Sequence, residues 1–176
     1  MASRLLKAMQ EVGKHSTGNL NSLKVKTLAH GALIEGADVD NFTMVELGFN
    51  AEGERTAKQL SDATKKGYLV ATPEERYLGE AVTDFYNAVG DRARIVVLEE
   101  AYTRFDTSAF KLDAAVTEVK KGQLAHFDVA SKKFVIHAGA HADYEGAKAK
   151  FLVVNNEEDM QYTQGQPLVR LEVIEA

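Results

Sequence analysis

Short apolar runs at close intervals are the feature of this sequence that most restricts its fold. In the last third of the chain, strands are predicted over residues 116–119, 123–127, 133–137, 151–154 and 168–174. Turn-forming residues such as Lys121-Gly122 separate these runs. Strands of this length and spacing favour a small β-barrel or sandwich over residues 111–176. Residues 137–149 interrupt the pattern and are predicted to form a long loop.

The region before this β-rich part combines strand patterns with one helical pattern. Strands are predicted over residues 23–28, 43–47, 67–71 and 94–98. Val82, Phe85 and Val89 recur at helical spacing, which predicts a helix over residues 79–89. Segment 52–63 is predicted to be a short helix or a surface loop. Segment 102–109 is predicted to be a turn-rich connection.

The N-terminal residues have the character of an arm. Apolar residues at a rough helical spacing predict a short amphipathic helix over residues 2–12, followed by an extended linker over residues 14–22. The expected fold class is therefore α+β and β-rich. An extended arm (residues 1–22) precedes a mixed α/β domain (residues 23–110) and a small C-terminal β-barrel or sandwich (residues 111–176).

Charge is distributed unevenly along the chain. Residues 1–26 have a net charge of +4, whereas residues 27–110 have a net charge of −7. A basic arm beside an acidic body favours docking of the arm on an acidic surface, its own or a partner's. The alternative is a solvated, frayed terminus. The candidate interface residues are Arg4, Leu5, Lys7, Met9, Lys14, Lys24 and Lys26.

Composition excludes several classes of function. The chain has no cysteine, which removes disulfides, thiolate nucleophiles and zinc–thiolate sites. Its formal net charge of −5 argues against a nucleic-acid partner. No apolar run approaches the roughly 20 residues of a membrane-spanning helix, so no membrane partner is expected.

Motifs that carry catalysis or cofactors are missing from the sequence. It contains no Gly-x-Ser-x-Gly elbow and no glycine-rich phosphate loop. Adjacent acidic residues such as Glu74-Glu75 and Glu99-Glu100 point to opposite faces of a strand and cannot share one proton. We therefore expect no catalytic residues, no cofactor and no enzymatic activity.

Two histidines form the one pattern that suggests a metal. His137 and His141 lie four residues apart and are followed by Asp143 and Glu145, a spacing that would place both imidazoles on one helix face. Glycines in this segment argue against a rigid helix, and metal sites need preorganised ligands. The prediction is a polar loop without a metal, and His126 is predicted to be an outward-facing strand residue rather than a base.

The last third also resembles a known family. The run VTEVKKGQL (residues 116–124) is followed by a strand, a turn, a second strand, a loop and the run KFLVV (residues 150–154). This order is similar to that of tailed-bacteriophage head decoration (cement) proteins. The resemblance implies a non-catalytic β-rich protein located in the virion. It also implies the major capsid protein as partner and self-association on a symmetric lattice.

The function predicted from the sequence is stabilisation of the outer surface of a phage capsid. A tail or connector component is an alternative of the same class. A small carbohydrate-binding β module is an alternative from another class and should show clustered exposed aromatic residues. An enzyme should instead show a cleft with convergent titratable groups.

Overall fold

The computed structural model describes residues 15–74 and 81–176. Within these residues the chain forms strands, one α-helix, α1 (Ala142–Gly146), and two 3-10 turns (Val82–Asp84 and Glu157–Asp159). The strands, in chain order, are β1 (Gly18–Leu20), β2 (Lys26–Thr27), β3 (Ala32–Ile34), β4 (Met44–Phe49), β5 (Arg55–Gln59), β6 (Tyr68–Val70), β7 (Arg92–Ala93), β8 (Ile95–Val97), β9 (Arg104–Thr107), β10 (Phe110–Leu112), β11 (Leu124–Asp128), β12 (Lys133–His137), β13 (Lys150–Val153), β14 (Gln161–Thr163) and β15 (Gln166–Glu175).

The strands assemble into two sheets. Sheet one has the order β1-β9-β15-β13-β11-β12-β10, with β14 paired to β15. Sheet two has the order β2-β8-β6-β4-β5-β3-β7. Sheet one combines β1 and β9 with strands β11 to β15, so strands from the predicted segments 1–22, 23–110 and 111–176 lie side by side in it.

The main hydrophobic core lies between the two sheets. Four phenylalanine rings of sheet one (Phe105, Phe127, Phe134 and Phe151) form its centre. Sheet two contributes side chains such as Met44, Leu69 and Val96 to the same core. One core shared by two sheets is the arrangement of a β-sandwich.

Sheet two is buried on both faces because a second, smaller core lies on its other side. Neighbours along each strand alternate between the cores: Met44 faces the inter-sheet core and Val45 the second core. Arg94 separates β7, which pairs with β3 at one end of the sheet, from β8, which pairs with β6 near the other end. Sheet two therefore curls around the second core.

The predicted α+β class is wrong, because the described chain is nearly all β. Residues 81–89 do not form the predicted helix: a single 3-10 turn is followed by extended chain over residues 85–88 and a turn that begins at residue 89. Residues 79–80 lie outside the described residues. The cause is Asn87, a buried residue whose backbone pairs with Val39 in an isolated bridge. Its side-chain amide also donates to the Val39 carbonyl and accepts from Thr72. These bonds hold the segment extended.

Other elements also differ from the prediction. The C-terminal strands form part of an open sheet rather than a closed barrel. Segments 52–63 and 102–109 contain strands β5 and β9, whereas residues 116–119 form no strand. The predicted linker contains β1, and the predicted loop 137–149 contains helix α1. The strand predicted over residues 133–137 is confirmed as β12.

Candidate functional site

The outer face of sheet one, which points away from the inter-sheet core, carries a group of titratable side chains. Strands β10, β12 and β11 are neighbours, and their register aligns Lys111, Val135 and His126 across them. Successive side chains on a strand point to opposite faces, so residues two positions apart share a face. Asp113 and His137 therefore lie on this same face, one row further along.

Asp113, His137 and His126 form a continuous chain of polar contacts across this face. Nδ1 of His137 lies 3.2 Å from Oδ2 of Asp113, and Nε2 of His137 lies 3.1 Å from Nδ1 of His126. Both histidines are buried, and their rings are parallel to within 6°. Because both nitrogens of His137 have partners, the orientation of its ring is fixed.

His141 adds a third imidazole to this group. Its ring stacks on that of His137 with 4.2 Å between centroids and 11° between planes. His141 is also the N-cap of helix α1, where its Nδ1 accepts a hydrogen bond from the backbone N–H of Asp143 at 3.3 Å. Tyr144 in the same helix is buried. The cap and the buried Tyr144 hold the loop against the outer face of sheet one.

Burial and hydrogen bonding set the charge of these groups. Burial, followed by the proximity of His137, lowers the pKa of His126, which favours its neutral form. A backbone hydrogen bond from Ala114, followed by the hydrogen bond with His137, lowers the pKa of Asp113. At neutral pH, Asp113 is therefore a carboxylate and His126 a neutral imidazole.

Asp113 and the three histidines line an open cleft, which we call the histidine cleft. Lys111 and Asp128 line another part of it. Lys111 Nζ lies 2.7 Å from Oδ2 of Asp128. Burial opposes ionisation of Asp128, but hydrogen bonds from Lys111 and Ser131 outweigh it and lower the pKa of this carboxyl. Asp128 is thus an ionised group that already has cationic and hydroxyl partners.

The group contains one carboxylate and two imidazoles whose donor atoms lie close together, as in sites that bind divalent transition metals. One donor atom each from Asp113, His137 and His141 lies within 4.8 Å of the other two. Sequence spacing identified His137 and His141 but missed Asp113 and His126. The missing information was strand register, because Asp113 and His137 are 24 residues apart in sequence.

A second feature lies where the chain crosses from sheet one to sheet two. We call residues 21–25, which join edge strand β1 to edge strand β2, the crossing segment. The backbone N–H of Asn21 donates to the Arg104 carbonyl at 2.9 Å. The hydroxyl of Ser22 donates to the Tyr102 carbonyl at 2.7 Å and accepts from the Arg104 N–H at 2.8 Å. The segment is therefore anchored at Asn21 and Ser22, directly before Leu23.

The crossing segment displays apolar and basic side chains to solvent. Leu23 is fully exposed, and Tyr102, whose carbonyl holds Ser22, is 61% exposed. Lys24 is also exposed. Lys26, which follows the segment, is paired with Glu99 at 2.5 Å, and this hydrogen bond raises the lysine pKa.

The structure places two of the predicted interface residues, Lys24 and Lys26, at this crossing. The others lie outside the described residues: Arg4, Leu5, Lys7, Met9 and Lys14.

Fold and site together define a two-sheet β protein with a histidine cleft on one face and an exposed crossing segment at its edges. The sequence profile of the YonC prophage protein family matches residues 11–174, and the chain belongs to this family. The chain is 65% identical, over the full length of both proteins, to the SPbeta prophage-derived uncharacterized protein YonC of Bacillus subtilis (strain 168). No solved structure matches the chain. The phage origin implied by the resemblance is confirmed.

Among the residues described, no helix has both the length and the apolar character needed to cross a membrane.

Proposed function

We propose that this protein is a structural component of the virion that binds the outer surface of the phage capsid and stabilises it. Its partner is the major capsid protein, and it acts by binding rather than by catalysis. The prophage family and the two-sheet β fold support this class of function. The observation that carries the proposal is the exposed crossing segment.

The crossing segment has the properties of a docking element. Leu23 is fully exposed although its backbone neighbours are held by hydrogen bonds to β9 and the residues before it. Anchoring at Asn21 and Ser22 reduces the conformational entropy that the segment loses when a partner covers Leu23. Tyr102 beside it is a residue type enriched at interface cores.

The positive charge near the crossing segment predicts an acidic partner surface. Lys26 is paired with Glu99, whereas Lys24, which is exposed, directly follows Leu23. Residues 1–26 have a net charge of +4. An acidic region of the capsid shell would complement this end of the chain.

On a capsid lattice, several weak contacts together can give stable attachment. Copies that bind neighbouring capsid subunits, and that also contact one another, gain avidity because each later contact is intramolecular. A protein that binds the assembled shell but not its dispersed subunits stabilises the shell by mass action. At a free concentration of about 100 times the Kd, this amounts to about 2.7 kcal/mol per site.

The test is the temperature at which DNA-filled particles rupture, measured without the protein, with the full chain and with Leu23→Ser. The full chain should raise the rupture temperature, and Leu23→Ser should lose most of that increase. Val89→Ser is the matched control, because Val89 is an exposed aliphatic residue remote from the crossing segment in sequence. Equal rupture temperatures with and without the protein would refute the proposal and favour a tail or connector role.

The histidine cleft favours a second candidate, a protein that binds or transforms a small molecule there. The cleft brings together convergent titratable groups, which is the arrangement expected of such a site. The exposed aromatic residues give less support to a carbohydrate-binding module. Among the described residues, no ring–ring contact joins any two of Phe49, Tyr86, Tyr102 and Tyr162.

A further inference from the structure

We propose that Asp113, His137 and His141 bind one divalent transition-metal ion, with Zn²⁺ as the best fit. Capsid attachment does not require this site, which lies on the outer face of sheet one. The ion would connect three separate elements: the residue after β10, the last residue of β12 and the N-cap of α1.

The distances between the donor atoms suit such an ion. Metal–ligand bonds of about 2.0–2.1 Å in a tetrahedral zinc site place neighbouring ligand atoms about 3.3 Å apart. Oδ2 of Asp113 and Nδ1 of His137 are already 3.2 Å apart. The whole set spans at most 4.8 Å, so a shift of about 1.5 Å by His141 would complete the triangle. His141 is the most exposed of the three residues.

Each ligand is held by contacts that leave a donor atom for the ion. Oδ1 of Asp113 accepts from the Ala114 N–H at 2.8 Å, which leaves Oδ2 for the metal. The backbone N–H of Asp113 donates to the Ile136 carbonyl, which fixes this residue beside β12. His141 uses Nδ1 for the helix cap, which leaves Nε2 for the metal.

His126 completes the site as a supporting residue rather than a ligand. When Nδ1 of His137 binds the ion, Nε2 of His137 carries the ring proton. This N–H group then donates a hydrogen bond to Nδ1 of His126, 3.1 Å away. Metal-bound histidines typically have such a partner for their second nitrogen, which fixes the tautomer and the ring. The buried position of His126 makes this contact specific.

The ligand types select the class of metal. Two imidazoles and one carboxylate suit zinc and related transition metals, whereas Mg²⁺ and Ca²⁺ prefer sites built from oxygen. Three protein ligands leave a coordination position for water, which the open cleft can supply.

The test is titration calorimetry of untagged, metal-free, full-length protein with ZnCl₂ and, separately, with MgCl₂. We expect one Zn²⁺ per chain and no Mg²⁺ binding. Asp113→Asn and His141→Asn should each weaken Zn²⁺ binding by more than a hundredfold. His126→Asn should weaken it by about 10–100-fold, as for other supporting residues. Asn at position 141 keeps the helix cap but lacks the imidazole.

The control variant is His30→Asn, which removes an exposed histidine elsewhere. His30 has a φ of 59°, a conformation that Asn tolerates, so this variant should keep wild-type Zn²⁺ affinity. Visible absorption of bound Co²⁺ should show the same loss in His141→Asn and not in His30→Asn. The proposal is overturned if wild type binds no stoichiometric Zn²⁺, or if His141→Asn binds it as tightly as His30→Asn. His141 is partly exposed, so its variant remains decisive even if Asp113→Asn misfolds.

Discussion

Replacement of Glu46 by Gln tests the electrostatic account of sheet two. Glu46 lies in β4 and is almost fully buried. Its carboxylate accepts a hydrogen bond from the Ser61 hydroxyl at 2.8 Å and lies 3.2 Å and 3.3 Å from the ammonium groups of Lys58 and Lys65. Burial alone would raise the pKa of Glu46, but the contacts with Ser61, Lys58 and Lys65 outweigh it and lower the pKa to about 2.

The size of the effect follows from this pKa. A fall from the ordinary value of 4.5 to about 2 corresponds to about 3.4 kcal/mol if it acts in full. Both lysine side chains are more than half exposed, so solvent screens their attraction for the carboxylate. We therefore expect Glu46→Gln to lower the free energy of unfolding by about 1–2 kcal/mol at pH 7.

The pH dependence has a defined direction. Because the pKa of Glu46 is lower in the folded state, ionisation of this group stabilises the fold fully above about pH 4.5. That stabilisation is lost as the pH falls towards about 2. The difference in unfolding free energy between wild type and Glu46→Gln should therefore be constant above pH 4.5 and shrink between pH 4.5 and 2.

The difference in unfolding free energy between wild type and Glu46→Gln can be measured by urea denaturation at a series of pH values, with circular dichroism as the signal. Urea adds no salt that would screen the charges. Glu54→Gln is the control, since Glu54 forms an exposed ion pair with Arg92 and should change stability by less than about 1 kcal/mol. The reasoning is refuted if Glu46→Gln is as stable as wild type at pH 7, or if its effect does not change with pH.

Two further predictions concern packing. Phe134→Ala should lower the free energy of unfolding by about 3–5 kcal/mol, because the ring lies 5.1–5.5 Å from three other phenylalanine rings; a loss below 1 kcal/mol in urea denaturation would contradict this. Gly18→Ala should detach β1 from β9, because the new Cβ would clash with the Asp106 carbonyl oxygen. Gly139→Ala is the control, because its new Cβ would meet no atom within 4 Å. Hydrogen exchange should show lost protection of residues 18–20 in the first variant only, and unchanged protection there would be the contrary result.

Strands whose side chains alternate or form compact apolar runs could be predicted from the sequence. The pattern Lys133-Phe134-Val135-Ile136-His137 gave β12 with its observed bounds. Strand β9 was missed because three of its four residues (Arg104, Asp106 and Thr107) are polar, and Asp is a residue type that favours turns. Asp106 is buried and accepts hydrogen bonds from Arg170 of β15, and the hydroxyl of Thr107 donates to the Phe42 carbonyl. These partners are distant in sequence, so the local pattern could not reveal them.

The helix predicted over residues 79–89 failed for a related reason. Val82, Phe85 and Val89 have helical spacing, but none of the three is buried in the structure. The buried residues of 81–89 are instead Thr83 and Asn87, and Asn87 is held by Val39 and Thr72. Tertiary hydrogen bonds thus override the local helical pattern.

The histidine cleft was partly visible in the sequence. The spacing of His137 and His141 suggested a metal site, but Gly139 and Gly146 favoured a loop without preorganised ligands. The structure supplies that order through the N-cap role of His141 and the buried ring of Tyr144. Asp113 and His126 join the group only through strand register, which the sequence does not specify.

The most direct test of the virion assignment is the protein content of purified particles. Heads from an induced lysogen, separated from tails and soluble protein on a density gradient, would be analysed by quantitative mass spectrometry. The account predicts that the chain is present at a fixed ratio to the major capsid protein, and that Leu23→Ser lowers this ratio while Val89→Ser does not. Complete absence of the wild-type chain from the head fraction, with the protein recovered in the soluble fraction, would contradict it.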